Sequence, residues 1–177
     1  MTIFDEIYEV AADNHGLITS AQAAELGAKT KDIARYVNDK RLYRVSRGVY
    51  RVRYYVPTPY DSYADAVAAV GLDAYIYGES VIAMYDLAPT NDSRIFVATP
   101  RRVRKSLPRN IRLVHAPRIE IDECDGIPVQ PVIDAIASCR KTLMPERIEE
   151  AVKNGVHKGL LSESDAAYLL GKGKGKR

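Results

Sequence analysis

Cysteine is scarce in this chain, with two among 177 residues, Cys124 and Cys139. They lie too far apart for a Cys-x-x-Cys metal motif and are too few for a disulfide scaffold. The three histidines, His15, His115 and His157, stand singly, so surface or half-buried side chains are expected rather than a metal centre. No apolar run approaches the roughly 18–20 residues that span a bilayer. The opening MTIFDEIYEV carries acids where a secretory leader carries Lys or Arg, so a cytoplasmic protein is the expectation. Tryptophan is absent and tyrosine numbers 12. Most of these rings are expected in the core with the hydroxyl in water. Net charge is also small, +3 from 26 Lys/Arg and 23 Asp/Glu. Composition is ordinary for a globular protein, and the length allows one domain or two small ones.

The small total conceals opposed regions. Residues 1–53 hold nine Lys/Arg and seven Asp/Glu, residues 54–170 hold 13 and 16, and the final GKGKGKR holds four cations and no acid. The densest stretch is Thr30 to Arg53, with eight cations against Asp32 and Asp39, a net of +6. Local patches of this kind matter more than totals for nucleic-acid binding.

An apolar stripe at Ile3, Ile7, Val10 and Ala11 predicts a first helix over 2–14. Gly16 turns the chain, and Leu17 and Ile18 form a short extended piece. Thr19 with Gln22 is a capping box that opens a second, Ala-rich helix to about Leu26, and Gly27 supplies the next turn. Thr30 is expected to cap a third helix with Ile33, Tyr36 and Val37 toward the core. Lys31, Arg35 and Asn38 lie opposite, with Ala34 beside them. Long donors reach phosphate or guanine edges, an amide pairs with adenine, and a small residue allows close approach. A solvated helix face is the commoner fate of such residues, and the next segment decides against it. Leu42 to Val45 reads as a strand, Ser46-Arg47-Gly48 as a tight turn, and Val49 to Arg53 as the return strand. Arg47 sits at the tip, flanked by Arg44 and Arg51. Helix followed by basic hairpin is the order of a winged helix-turn-helix, with the helix in a groove and the wing on phosphates.

Pro57-Thr58-Pro59 reads as a linker, giving domains at 1–56 and 60–170 and a basic tail, 171–177, expected to be disordered. Beyond the linker, helices are expected at 61–71, 79–86, 132–141, 145–154 and from Ser162 to about Leu170. Asp61 and Ser80 serve as start signals, and Ser162 with Asp165 as a cap. Strands are expected at 94–99, 111–115 and 119–124, the last turning at Asp125-Gly126 into IPVQPV. The fold class is therefore α+β, a winged helix-turn-helix followed by a mixed α/β domain with a small sheet. Between the first two of these strands, residues 100–112 hold six cations and no acid. Arg101, Arg102, Arg104 and Lys105 are either a solvated loop guarding a sheet edge or a second DNA contact.

An enzyme needs a site, and none is legible. Gly78-Glu79-Ser80 is not Gly-x-Ser-x-Gly, and there is no Gly-rich phosphate loop, His-Glu-x-x-His or Asp-x-Asp pattern. Asp61 and Asp65, one helical turn apart, are expected to be a solvated helix face rather than a cation site. Asp122 to Gly126 lacks the spacing of a calcium loop and reads as a turn. No cofactor is expected.

LYRVSRGVYRV (42–52), YGESVIAMYDL (77–87), RIFVATPRR (94–102) and GIPVQPVIDAIA (126–137) together resemble the AbiEi family, the antitoxins of abortive-infection type IV toxin–antitoxin systems. The resemblance covers most of residues 1–170. It implies a repressor of its own operon that binds inverted repeats in the promoter, monomeric or weakly dimeric in solution and paired on DNA. It further implies a C-terminal domain that counters an AbiEii-like nucleotidyltransferase toxin without a stable complex. The DNA contacts it implies are Lys31, Arg35, Lys40, Arg41, Arg44, Arg47 and Arg51, with Arg101, Arg102, Arg104 and Lys105 as a looser addition. Two other classes compete. A protein-interaction module would bind the toxin directly, in keeping with the acidic balance of 54–170. A nucleic-acid enzyme would need the acid/base constellation that is missing.

Overall fold

The computed structural model describes residues 2–171, so most of the basic tail lies outside the described residues. Contacts divide the chain into two compact units. One runs through Leu72 and includes Val103–Pro108; the other comprises Asp73–Arg102 and the chain from Arg109.

In the first unit, α1 (Ile3–Ala12) opens with a capping box. The Asp5 carboxylate accepts the Thr2 N–H at 2.7 Å. The buried stripe is Phe4, Ile7 and Ala11, while Ile3 is exposed. The expected stripe is thus turned by one residue. Burying the larger Phe4 ring gains more, and that ring meets Tyr36 edge-on at 4.9 Å between centroids. β1 (Leu17–Thr19) leads into α2 (Ser20–Glu25), where Thr19 and Gln22 bond reciprocally. α3 (Thr30–Asn38) departs from expectation at its start. Lys29 occupies the cap position, and Thr30 is already helical. The Asp32 carboxylate accepts the Lys29 N–H at 2.9 Å, so an acid in the first turn caps in place of the threonine hydroxyl.

β2 (Leu42–Ser46) and β3 (Val49–Val52) form the hairpin, joined by Arg47 and Gly48, whose φ of +76° is open to glycine. The sheet is antiparallel in the order β1-β3-β2. Phe4, Ile7, Ile18, Ile33, Tyr36, Leu42 and Val52 share one core with the small side chains of α1 and α2. This helix–strand–helix–helix–hairpin order is the winged helix.

α4 (Asp61–Val70) packs against β1 and β2, and the contact grouping keeps it with the winged helix. The boundary read from Pro57-Thr58-Pro59 falls before this helix; the unit runs on to Leu72.

The second unit is built on a five-stranded sheet. Its elements are β4 (Tyr75–Ile76), α5 (Glu79–Met84), β5 (Ile95–Thr99), β6 (Ile111–His115), β7 (Asp122–Cys124), β8 (Ile127–Val129), α6 (Val132–Ser138), α7 (Pro145–His157) and α8 (Glu163–Leu169). The order is β6-β5-β4-β8-β7, with β5–β6 and β4–β8 parallel and the other two pairs antiparallel. β4 is central yet only two residues long, and the sequence reading has no strand there. The strand expected over 119–124 is confined to 122–124. The Asp125-Gly126 hairpin turn is present, both residues at positive φ.

Residues 77–87, 94–102 and 126–137 meet at one buried corner. The Gly78 N–H donates to Gln130 Oε1 at 3.0 Å, and Gln130 Nε2 donates to Ser138 Oγ at 3.1 Å. Ser80 Oγ accepts the Phe96 N–H at 2.8 Å, and the buried Glu79 carboxylate accepts the Asn91 N–H at 2.9 Å. Glu79, Ser80 and Gln130 thus serve as internal caps for backbone groups that the short β4 leaves over.

Candidate nucleic-acid interface

α3 presents Lys31, Ala34, Arg35 and Asn38 to solvent, opposite the buried Ile33 and Tyr36. The Arg35 side chain is 61% exposed and lies 3.4 Å from Asp32, one turn back. A surface pair at that distance restrains the guanidinium weakly and leaves most of its donors free. Lys40 is exposed in the turn after α3, with φ of +57°.

The wing is held at its tip. The Gly48 carbonyl accepts the Ser20 N–H at 2.9 Å, tying the turn to the first residue of α2. Arg47 projects from this turn into solvent. Arg44 is exposed on β2, its Nε 3.4 Å from the Ser46 carbonyl. β2 is irregular between Arg44 and Ser46, which re-aims the strand beside the tip.

Two of the expected contacts are engaged by neighbours, Arg51 half-buried and Arg41 exposed. Arg51 is half-buried on β3. Its Nε donates to the His15 carbonyl at 3.2 Å, and its two terminal nitrogens donate to Asp65 at 2.7 and 3.3 Å. Its charge is compensated by Asp65 on α4. Arg41 lies over the Phe4 ring, its guanidinium carbon 3.4 Å from the centroid. Asp61 and Asp65 correct another expectation. They are not a solvated face, because Asp61 accepts hydrogen bonds from Tyr55 at 2.7 Å and Thr58 at 2.9 Å. Burial opposes the Asp61 charge, but those hydroxyl bonds outweigh it and hold the carboxyl below its usual value. In Asp65 burial prevails over the Arg51 bonds, and the carboxyl is pushed up.

The basic run 100–112 is divided. Arg101 and Arg102 belong to the second unit, Arg104 and Lys105 to the first. Arg101 and Arg118 both hold the Asp73 carboxylate, at 2.6 and 2.8 Å, and Arg101 foremost keeps that carboxyl below its ordinary value. Asp92, bonded by Arg94 and facing Arg112, is drawn down to about 2. Arg118 is not singled out by the sequence; only the fold shows it sharing Asp73. Among the described residues, Arg102, Arg104 and Lys105 make no ion pair, and neither do Lys31, Lys40, Arg41, Arg44, Arg47 and Arg53. The winged helix therefore carries several uncompensated cations on and around α3 and the hairpin. No group of three His, Cys, Asp or Glu side chains converges among the described residues as a metal site would require. No helix there is long and apolar enough to cross a membrane.

Residues 5–53 match the family model for the transcriptional regulator, AbiEi antitoxin. The match spans α1 through the wing. No curated protein matches the chain. Among solved structures it is similar to the RV2827C protein from Mycobacterium tuberculosis, at 13% identity and a TM-score of 0.38, covering all of this chain and 83% of that one.

Proposed function

We propose that this protein is a sequence-specific DNA-binding antitoxin that represses its own operon. The observation that carries the reading is the winged helix itself: α3 and the wing of an AbiEi-type regulator domain present Lys31, Arg35, Asn38, Arg44 and Arg47 outward, while Asp32 caps α3 and Asp61 and Asp65 are engaged by Thr58 and Arg51. Arg35 and Asn38 read base edges from α3, and Lys31, Lys40, Arg44 and Arg47 bind phosphates. Arg102, Arg104 and Lys105 add a second basic contact. Two copies on an inverted repeat follow from the half-site geometry of such domains. In this reading the second unit counters a nucleotidyltransferase toxin.

The deciding experiment is a gel-shift titration on the DNA immediately upstream of the gene, against random competitor and at two salt concentrations. A competitor-resistant shift that weakens steeply with salt is expected, because each neutralised phosphate releases counterions. Binding no tighter than to random DNA would remove the repressor reading. The acidic balance of residues 54–170, 13 Lys/Arg against 16 Asp/Glu, would then favour direct capture of the toxin.

A further inference from the structure

Behind the C-terminal end of α3, the first unit has a cleft of about 240 Å³ that the DNA reading does not use as such. Its floor is Phe4, with the Arg41 guanidinium stacked on the ring at 3.4 Å. One wall is Lys40; the other is formed by Arg53 and Tyr54, just past β3. Tyr8 closes the end, its hydroxyl donating to the Tyr54 carbonyl at 3.1 Å. The Arg53 N–H donates to the Arg41 carbonyl at 3.0 Å, which fixes the two arginines side by side on paired backbone.

Three cations thus converge on one opening with no ion pair among the described residues. The acids that temper them are Asp39, which lines the rim, and Asp5, whose carboxyl is lowered chiefly by the Thr2 backbone and hydroxyl bonds and least by Arg41. A guanidinium stacked flat on a ring uses its faces and keeps its in-plane N–H donors free for an oxyanion. Tyr54 is 77% exposed and Tyr8 is 38% exposed, and both rings lie beside arginines that make no ion pair among the described residues. Arg53 lies over one face of the Tyr54 ring, its guanidinium carbon 5.6 Å from the centroid, and guanidinium donors fixed beside an exposed ring recognise a phosphate joined to a planar base.

We propose that this cleft binds a nucleotide, with Arg41, Arg53 and Lys40 on its phosphate and Tyr54 and Tyr8 against its base. The nucleotide is either free or the terminal nucleotide of a nucleic-acid strand. Lys40 is shared with the DNA reading, whereas Arg53 and the tyrosines belong to neither the α3 face nor the wing tip, so substitutions at those residues test the cleft by itself.

The test is calorimetric titration of the full chain with adenosine 5′-monophosphate, inorganic phosphate and adenosine. Saturable binding of the monophosphate, tighter than either fragment alone, is expected. Arg53→Gln should weaken it about tenfold, as loss of one charge-assisted contact does. Tyr54→Ala, at an exposed position that folding does not need, should weaken it several-fold and bring it close to inorganic phosphate. Arg47→Ala at the wing tip should leave it unchanged. A second arm compares duplex DNA with blunt ends and with a short 3′ overhang. A gain from the overhang that Tyr54→Ala abolishes assigns the site to a strand end; no gain, with the free monophosphate bound, assigns it to a free nucleotide. If the monophosphate binds no better than phosphate, or binding survives both substitutions, and the overhang adds nothing, the proposal is overturned.

Discussion

Arg51 grips Asp65 with both ends of its guanidinium, at 2.7 and 3.3 Å, and so fastens α4 to the middle strand of the wing sheet. Both side chains are mostly shielded, 20% and 28% exposed. Arg51→Met, which keeps the stem and removes the charge, should cost about 2 kcal/mol by leaving Asp65 unpaired, less than a fully buried pair would. Urea unfolding measures it, and a double-mutant cycle with Asp65→Asn should return most of that loss as coupling. DNA affinity at temperatures where the variant is folded should be nearly unchanged. A large drop there would return Arg51 to the contact surface.

The α3 face and the wing tip should fail differently. Arg35→Ala should cost about 1–3 kcal/mol on the operator and relax base preference, whereas Arg47→Ala should weaken operator and random DNA alike and flatten the salt slope by about one. Salt-dependent gel shifts on both DNAs read the two quantities separately. Equal losses on both DNAs from both variants would contradict the division.

Acid should unlock the same region through Asp61. Its folded carboxyl sits below the ordinary value of 3.8, so its contribution is present above that value and disappears as pH falls through the folded value. Asp65, raised by burial, has the opposite sign: its ionisation lowers stability as pH climbs through its folded value. Asp61→Asn keeps an oxygen for Tyr55 and Thr58 but cannot ionise. Its stability profile, followed from about pH 7 down to about pH 2, should therefore flatten on the acid side relative to the parent chain.

Cys139 should be inert. Burial, reinforced by the nearby Glu79 carboxylate, pushes its thiol up to about 12, and the thiolate is the reactive form. Alkylation near neutral pH followed by mass mapping should leave Cys139 unmodified until denaturant is added. Rapid native labelling would show that the corner around Gly78 and Gln130 opens.

The winged helix was legible because its signals are local. A capping box, the switch from helical to alternating period at Leu42 and a glycine at the turn lie within a few residues of one another. The misreadings there came from competition among neighbours: Phe4 outbid Ile3 for the core, and Asp32 capped α3 in place of Thr30. The second unit was legible in its helices and outer strands but not in its order. β4 has two residues, too few to show a period, and its place at the centre of the sheet is set by partners far along the chain. The basic residues were found by counting; their availability was not. Whether an arginine meets water or an aspartate depends on tertiary neighbours, so Arg51 and Arg101 look in sequence like Arg47 and differ from it only in the fold.

The bond from the Ser20 N–H to the Gly48 carbonyl makes the wing part of a rigid body rather than a flap that settles onto its target. The entropy of arranging that hairpin is spent during folding, before any DNA arrives. In the repressor reading proposed above, association then requires only two preformed surfaces to find their register, which favours rapid, electrostatically steered capture and search by sliding over slow induced docking.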